Sequence, residues 1–156
     1  MILEKTPEYY MDIALKEAKI ALEEGEVPIG AVVVKNGLVI GKGHNRREAK
    51  NDISSHAEIE AIVDAEKTMG TWLLEGCSLF VTIEPCLMCS GAIKQARIFS
   101  LYYGANDPSM GAIKSNYFVF DEIGKNGNPL IYSGIRENEC ASLVKDFFSR
   151  QRKAHI

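Results

Sequence analysis

From Ile29 to Tyr103 the chain orders a hairpin and then two helix–strand units, and that order leaves few folds open. Ile29 to Lys35 is rich in β-branched residues, and Leu38 to His44 is a second extended stretch. Asn36-Gly37 joins them, and both residues accept the positive φ that a type I′ turn requires at its central positions. Asp52 to Ser55 offers several helix caps, after which Ala57, Ala61, Ile62, Ala65 and Met69 recur at helical spacing. Ser78 to Ile83 reads as a buried strand, a helix follows from near Cys86, and Ile98 to Tyr103 reads as the next strand. Each strand–helix–strand passage should set its two strands parallel, with helix starts and strand ends converging where such sheets bind ligands. The pattern predicts an α/β sandwich with a mixed sheet.

The flanking segments fit that plan. Thr6-Pro7 opens a first helix, since Thr can cap and Pro tolerates the first helical position. Met11, Ala14, Leu15, Ala18, Ala21 and Leu22 follow helical spacing, and Gly25 ends the helix. Gly104 to Asn128 is irregular, with a short helix possible over Ser115 to Ile123. Leu130 to Ser133 reads as a short last strand, and a helix from Glu137 puts Cys140, Leu143, Val144 and Phe147 on one face. With no repeat, low-complexity tract or long linker, residues 1–156 are expected to form one domain. No apolar run approaches the ~20 residues needed to span a bilayer, and the start lacks the pattern of a secretory signal. A cytoplasmic protein with reduced cysteines is expected.

Two short segments carry the chemistry: Ser55-His56-Ala57-Glu58 and Glu84-Pro85-Cys86-Leu87-Met88-Cys89. Each has an innocent reading. Ser55-x-x-Glu58 has the form of a capping box, and Cys86-x-x-Cys89 alone serves metal binding or a redox dithiol. Together they are more specific. Cys86 and Cys89 are three apart, so both thiolates can project from one side of a first helical turn, where the helix dipole favours anionic sulfur. His56 begins another helix, and the intervening helix and strand can bring both ends to one side of the sheet. One nitrogen and two thiolates make three ligands, and catalytic zinc differs from structural zinc in keeping a fourth place for water. Cys77 and Cys140 are isolated, and His44 is a possible but unneeded ligand. Zinc lowers the pKa of bound water to ~7, and Glu58, two residues from His56, is placed to move protons. His-x-Glu with Pro-Cys-x-x-Cys is the known signature of zinc nucleobase deaminases.

Beyond those motifs the chain resembles, nearly end to end, the bacterial tRNA-specific adenosine deaminase family. The resemblance is carried by Glu26-Val27-Pro28-Ile29-Gly30-Ala31-Val32, His44-Asn45-Arg46, Ser55-His56-Ala57-Glu58-Ile59 and Leu74-Glu75-Gly76-Cys77. It continues through Val81 to Ala92, Tyr103-Gly104-Ala105-Asn106-Asp107 and Glu139-Cys140-Ala141-Ser142-Leu143, with Phe147-Phe148 before a basic end. It implies a cytidine deaminase-like fold, a three-layer α/β/α sandwich around a five-stranded mixed sheet. It also implies one Zn2+ per subunit on His56, Cys86 and Cys89, with Glu58 catalytic, and a homodimer. The substrate implied is the wobble adenosine of a tRNA anticodon loop, that of the arginine tRNA, converted to inosine. By the same resemblance Asn45 binds the target purine, Val27, Pro28, Ile29 and Ala57 wall the base pocket, and Asp107 lies near the nucleotide backbone. Phe147, Arg150 and Arg152 match the terminal helix that grips the RNA loop.

Several alternatives stay open at this point. Asn45 and Asp107-Pro108 suit turns, and Phe147 suits a buried helix face. Lys145, Arg150, Arg152 and Lys153, like Arg46, Arg47 and Lys50, read by themselves as solvated surface on a chain of net charge −3. Pro108 to Asn116 departs from the family's small Gly-Ser-rich continuation, with Ile113 and Lys114 intruding. The rival functions are a free-base or nucleoside deaminase acting on guanine, cytosine or cytidine, a zinc-stabilised binding domain, and a Cys86–Cys89 redox couple.

Overall fold

In the computed structural model, which describes residues 4–121 and 127–154, the sheet is ordered β2-β1-β3-β4-β5. Helix α1 spans Pro7–Glu23, and Thr6 caps it by accepting a hydrogen bond from the Tyr9 N–H. Gly25 follows at φ 80°, the left-handed conformation that ends helices. Strands β1 (Gly30–Lys35) and β2 (Leu38–His44) pair antiparallel across Asn36 and Gly37, whose φ values of 50° and 79° fit the expected turn. A bulge between Val33 and Val34 adjusts the register.

A four-residue helix, α2 (Arg47–Lys50), leads into α3 (Ala57–Met69), β3 (Cys77–Ile83), α4 (Leu87–Gln95) and β4 (Ser100–Ala105). Then come β5 (Leu130–Tyr132) and α5 (Glu137–Ala154). Strands β3, β4 and β5 run parallel. Both β2 and β3 run antiparallel to β1, which lies between them, so they share a direction without touching.

Alternation along the strands sends neighbours to opposite faces. Ala31, Val33, Leu79, Val81 and Leu101 pack with Ala57, Ala61 and Ala65 of α3 and Ile93 of α4. Val32, Val34 and Phe80 pack with Tyr10, Met11 and Ala14 of α1 and Cys140 of α5. Helices therefore cover both faces, the expected three layers. The α3 layer sits close: a Cβ on Gly43 would lie 2.6 Å from the Ala57 carbonyl oxygen, so glycine lets α3 approach β2 at its first turn.

Two expectations are corrected. Residues 115–121 form turns and bends rather than a helix, while Glu122 and Ile123 lie outside the described residues. Ile113, an intruder in the sequence pattern, is a plug: it is buried in the core beneath α3 and α4. The capping box also fails. His56, not Ser55, is the N-cap of α3, so Glu58 stands at N2 and not at the N3 position that a capping box requires.

Candidate active site

The carboxyl ends of β2 and β3 and the starts of α3 and α4 converge at one end of the sheet. There β3 leads into Cys86, the N-cap of α4, β2 leads into Asn45, and His56 is the N-cap of α3. Neither side chain makes a capping hydrogen bond, and the two face each other. His56 Nδ1 lies 3.6 Å from Cys86 Sγ and 3.6 Å from Cys89 Sγ. The three donor atoms all lie within 4.8 Å of one another.

This donor set fits zinc. Bonds of about 2.3 Å to sulfur and 2.0–2.1 Å to nitrogen at a tetrahedral angle place each S and N about 3.6 Å apart. The protonation chemistry agrees. The Cys86 thiol is pushed down to about 4, first by the hydrogen bond from Cys89 and then, against burial, by His56. Cys89 is pushed strongly up, first by that shared hydrogen bond and then by burial and the charge of Glu58. His56 is raised, chiefly by its hydrogen bond with Cys86. One sulfur thus favours the thiolate and the other keeps its proton, a donor set that a cation could hold together with His56.

Glu58 is buried beside this group, and burial pushes its carboxyl up to about 7. It lines a cavity of about 210 Å³ together with Val27, Ile29, Asn45, Ala57 and Asp107. Pro28 is buried and does not line the cavity. Asn45 keeps a turn role as well, because its Oδ1 accepts the Arg47 N–H at 3.1 Å. Asp107 also closes its own turn, accepting from the Ser109 and Met110 N–H groups.

A second cleft, of about 420 Å³, shares Val27, Ile29, Ile83, Asp107 and Met110 with the first and extends to Lys145 and Phe148 of α5. Phe148 lines it, whereas Phe147 is half-buried and meets Phe148 edge-on at 5.3 Å. Arg150 and Arg152 are exposed on the last turns of α5. His44 is not at the metal group; its ring bridges Glu17 and Glu24 of the α1 region at 3.2 Å each. Cys77 and Cys140 are buried free thiols in β3 and α5.

Sequence reasoning missed Arg47, Met110 and Glu84, all of which line the first cavity. Arg47 had a signal in its basic cluster. Glu84 had none beyond its place before Pro85, because its partners lie 23 to 31 residues away.

The MafB19-like deaminase family model matches residues 6–152. The tRNA-specific adenosine deaminase of Agrobacterium fabrum is 45% identical over 92% of this chain and 95% of its own. A structure from work on A-to-I editing by tRNA A34 deaminases at the wobble position of transfer RNA has a TM-score of 0.83. It is 46% identical and covers 86% of this chain and 98% of its own. A guanine deaminase structure from Bacillus subtilis is 35% identical, has a TM-score of 0.64 and covers 78% of each chain.

Proposed function

The chain belongs to the MafB19-like deaminases and, among them, to the tRNA-specific adenosine deaminase family, and we propose that it converts a tRNA wobble adenosine to inosine. The observation that carries this reading is the placement of Glu58 on the wall of a base-sized cavity beside the His56, Cys86 and Cys89 donors. At about 210 Å³ the cavity falls short of the ~300–1,000 Å³ of drug-sized pockets, so a base fits while ribose and flanking nucleotides stay on the rim. The adjoining cleft leads from that rim to α5. This opening suits an extruded base still attached to its strand.

His56, Cys86 and Cys89 would hold one Zn2+ per subunit, whose chemistry is to lower the pKa of a coordinated water to ~7. Glu58 would take a proton from the attacking water and give it to the purine ring nitrogen as oxygen adds at C6, then take the proton of the new C6 hydroxyl and pass it to the amino group, which leaves as ammonia. Burial raises this carboxyl above its ordinary value, which favours a group that both accepts and donates a proton. The Asn45 amide supplies donors to the purine from a turn that fixes its direction. Val27, Ile29 and Ala57 replace the stacking partners of the extruded base. Asp107 lies where the nucleotide backbone would pass, and Phe147, Arg150 and Arg152 lie along α5, the helix reached by the second cleft.

The substrate would be the anticodon loop of an arginine tRNA, in the cytoplasm. No helix of the described residues is long and apolar enough to cross a membrane. A homodimer would cover the exposed Val63, Trp72, Leu87 and Met88, which lie on or between α3 and α4. The higher identity and TM-score of the tRNA deaminase structure favour tRNA over guanine.

Sequencing anticodon loops after incubation with zinc-loaded protein tests the reading: adenosine at the wobble position should be read as guanosine. Ammonia released from guanine or cytosine with tRNA left unchanged would refute it.

A further inference from the structure

Glu84 follows β3, immediately before Pro85 and Cys86, and is 3% exposed. It lines the same cavity as Glu58, so two buried carboxylates border the reacting space. Their surroundings differ. Glu84 Oε1 accepts the Asp107 N–H at 3.0 Å and the Ser115 hydroxyl at 2.6 Å. Its Oε2 accepts the N–H groups of Ile113 at 3.0 Å, Lys114 at 2.9 Å and Ser115 at 3.0 Å. A carboxylate offers about four lone-pair sites, so these donors saturate it.

The loop closes tightly around this anion. The Gly111 N–H donates to the Asp107 carbonyl at 2.9 Å, and Ala112 N–H to the Pro85 carbonyl at 2.9 Å. A Cβ at Gly111 would lie 2.5 Å from each Glu84 oxygen, so only glycine passes there. Asp107 and Met110, the loop's two contributions to the cavity wall, are carried on this wrapped segment.

We propose that Glu84 is a positioning residue: it sets the wall formed by Asp107 and Met110, governs nucleotide binding through them, and carries no proton in the reaction. Its saturation by the loop separates it from Glu58. The assignment rests on the deaminase reading above for its substrate, and on the hydrogen bonds alone for its anchoring role.

Glu84→Gln tests it. With the amide oxygen facing the three N–H groups of residues 113–115, the amide nitrogen faces the Asp107 N–H, donor against donor. The Ser115 hydroxyl can turn to accept, but the backbone of Asp107 cannot. In the zinc-loaded variant, amide exchange at Asp107 should quicken, and KM for an anticodon stem-loop RNA should rise about ten- to a hundredfold, the range for a lost charge-assisted bond. The kcat, its pH profile and the zinc content should stay as in the wild type. A fall in kcat with a displaced pH profile at unchanged KM would overturn the assignment, and so would unchanged exchange at Asp107. If the wild type leaves the RNA untouched while the variant's Asp107 exchange quickens, the tRNA reading falls and the anchor stands. Should Glu84→Gln not fold, Ser115→Ala removes only the 2.6 Å hydroxyl donor. It should raise KM about threefold or more, and an unchanged KM in that variant overturns the proposal.

Discussion

Cys89 Sγ lies 3.6 Å from His56 Nδ1, although 33 residues separate the two in sequence. The helix α3 and strand β3 between them carry the chain along the sheet and back, so the contact reports the fold itself. Replacing His56, Cys86 or Cys89 by Ala should therefore remove the metal and weaken the link between α3 and α4. Elemental analysis should find about one zinc per wild-type chain and little in each variant. The wild-type Tm should rise with added zinc, because a ligand that binds the native state stabilises it. Full zinc content in any of the three variants would exclude that residue from the ligand set.

Glu58→Gln should separate proton transfer from metal binding. The amide keeps the shape of the carboxyl, so zinc content should hold while turnover falls about 10²- to 10⁴-fold. A second effect follows from the raised pKa. A native carboxyl near 7 binds its proton more tightly than the unfolded chain, whose ordinary value is 4.5. Stability of metal-stripped wild type is thus lost as pH rises from about 4.5 to about 7. Metal-stripped Glu58→Gln should lack that loss and unfold at higher urea at pH 8, by up to about 3 kcal/mol.

Much of this was legible in sequence wherever a residue type acts locally. Asn36-Gly37 announced its turn, Thr6-Pro7 and Gly25 bounded α1, and the ligand types and spacings marked His56, Cys86 and Cys89 as one set. The site's support was not legible, because it depends on backbone groups that look alike in every residue. Nothing local says that Glu84 will meet the N–H groups of residues 113–115, that Ile113 will fill the core, or that the Val119 N–H will meet the Ala112 carbonyl. Adjacent aromatic residues are ambiguous for a related reason. One step along a helix rotates a side chain by about 100°, and periodicity pointed to Phe147 while Phe148 lines the cleft.

Asn45 combines a turn role with a proposed purine contact, and two substitutions separate them. Asn45→Asp keeps the oxygen that accepts from the Arg47 N–H but loses the amide donors. Asn45→Ala loses both. Both should lower kcat/KM on tRNA at least about tenfold, whereas only Asn45→Ala should lose about 1 kcal/mol in urea denaturation. Full activity in Asn45→Asp would exclude the purine-donor role.

Away from the site, Cys140 should control the alkaline limb of stability. It is fully buried against the sheet, and burial, then the charges of Glu139 and Asp12, push its thiol up to about 12. The unfolded chain releases that proton near 9, so above pH 9 the native state binds more protons than the unfolded one. Stability must then fall with rising pH, by about 1.4 kcal/mol per unit from this group, and below pH 9 the contribution stays whole. Cys140→Ala should cost about 1 kcal/mol at pH 8 through lost packing. It should also remove this slope, so that urea midpoints of variant and wild type converge near pH 10. Parallel curves from pH 8 to 10 would show that the thiol ionises equally easily in both states, against the tight packing of α5 on β4 at this position.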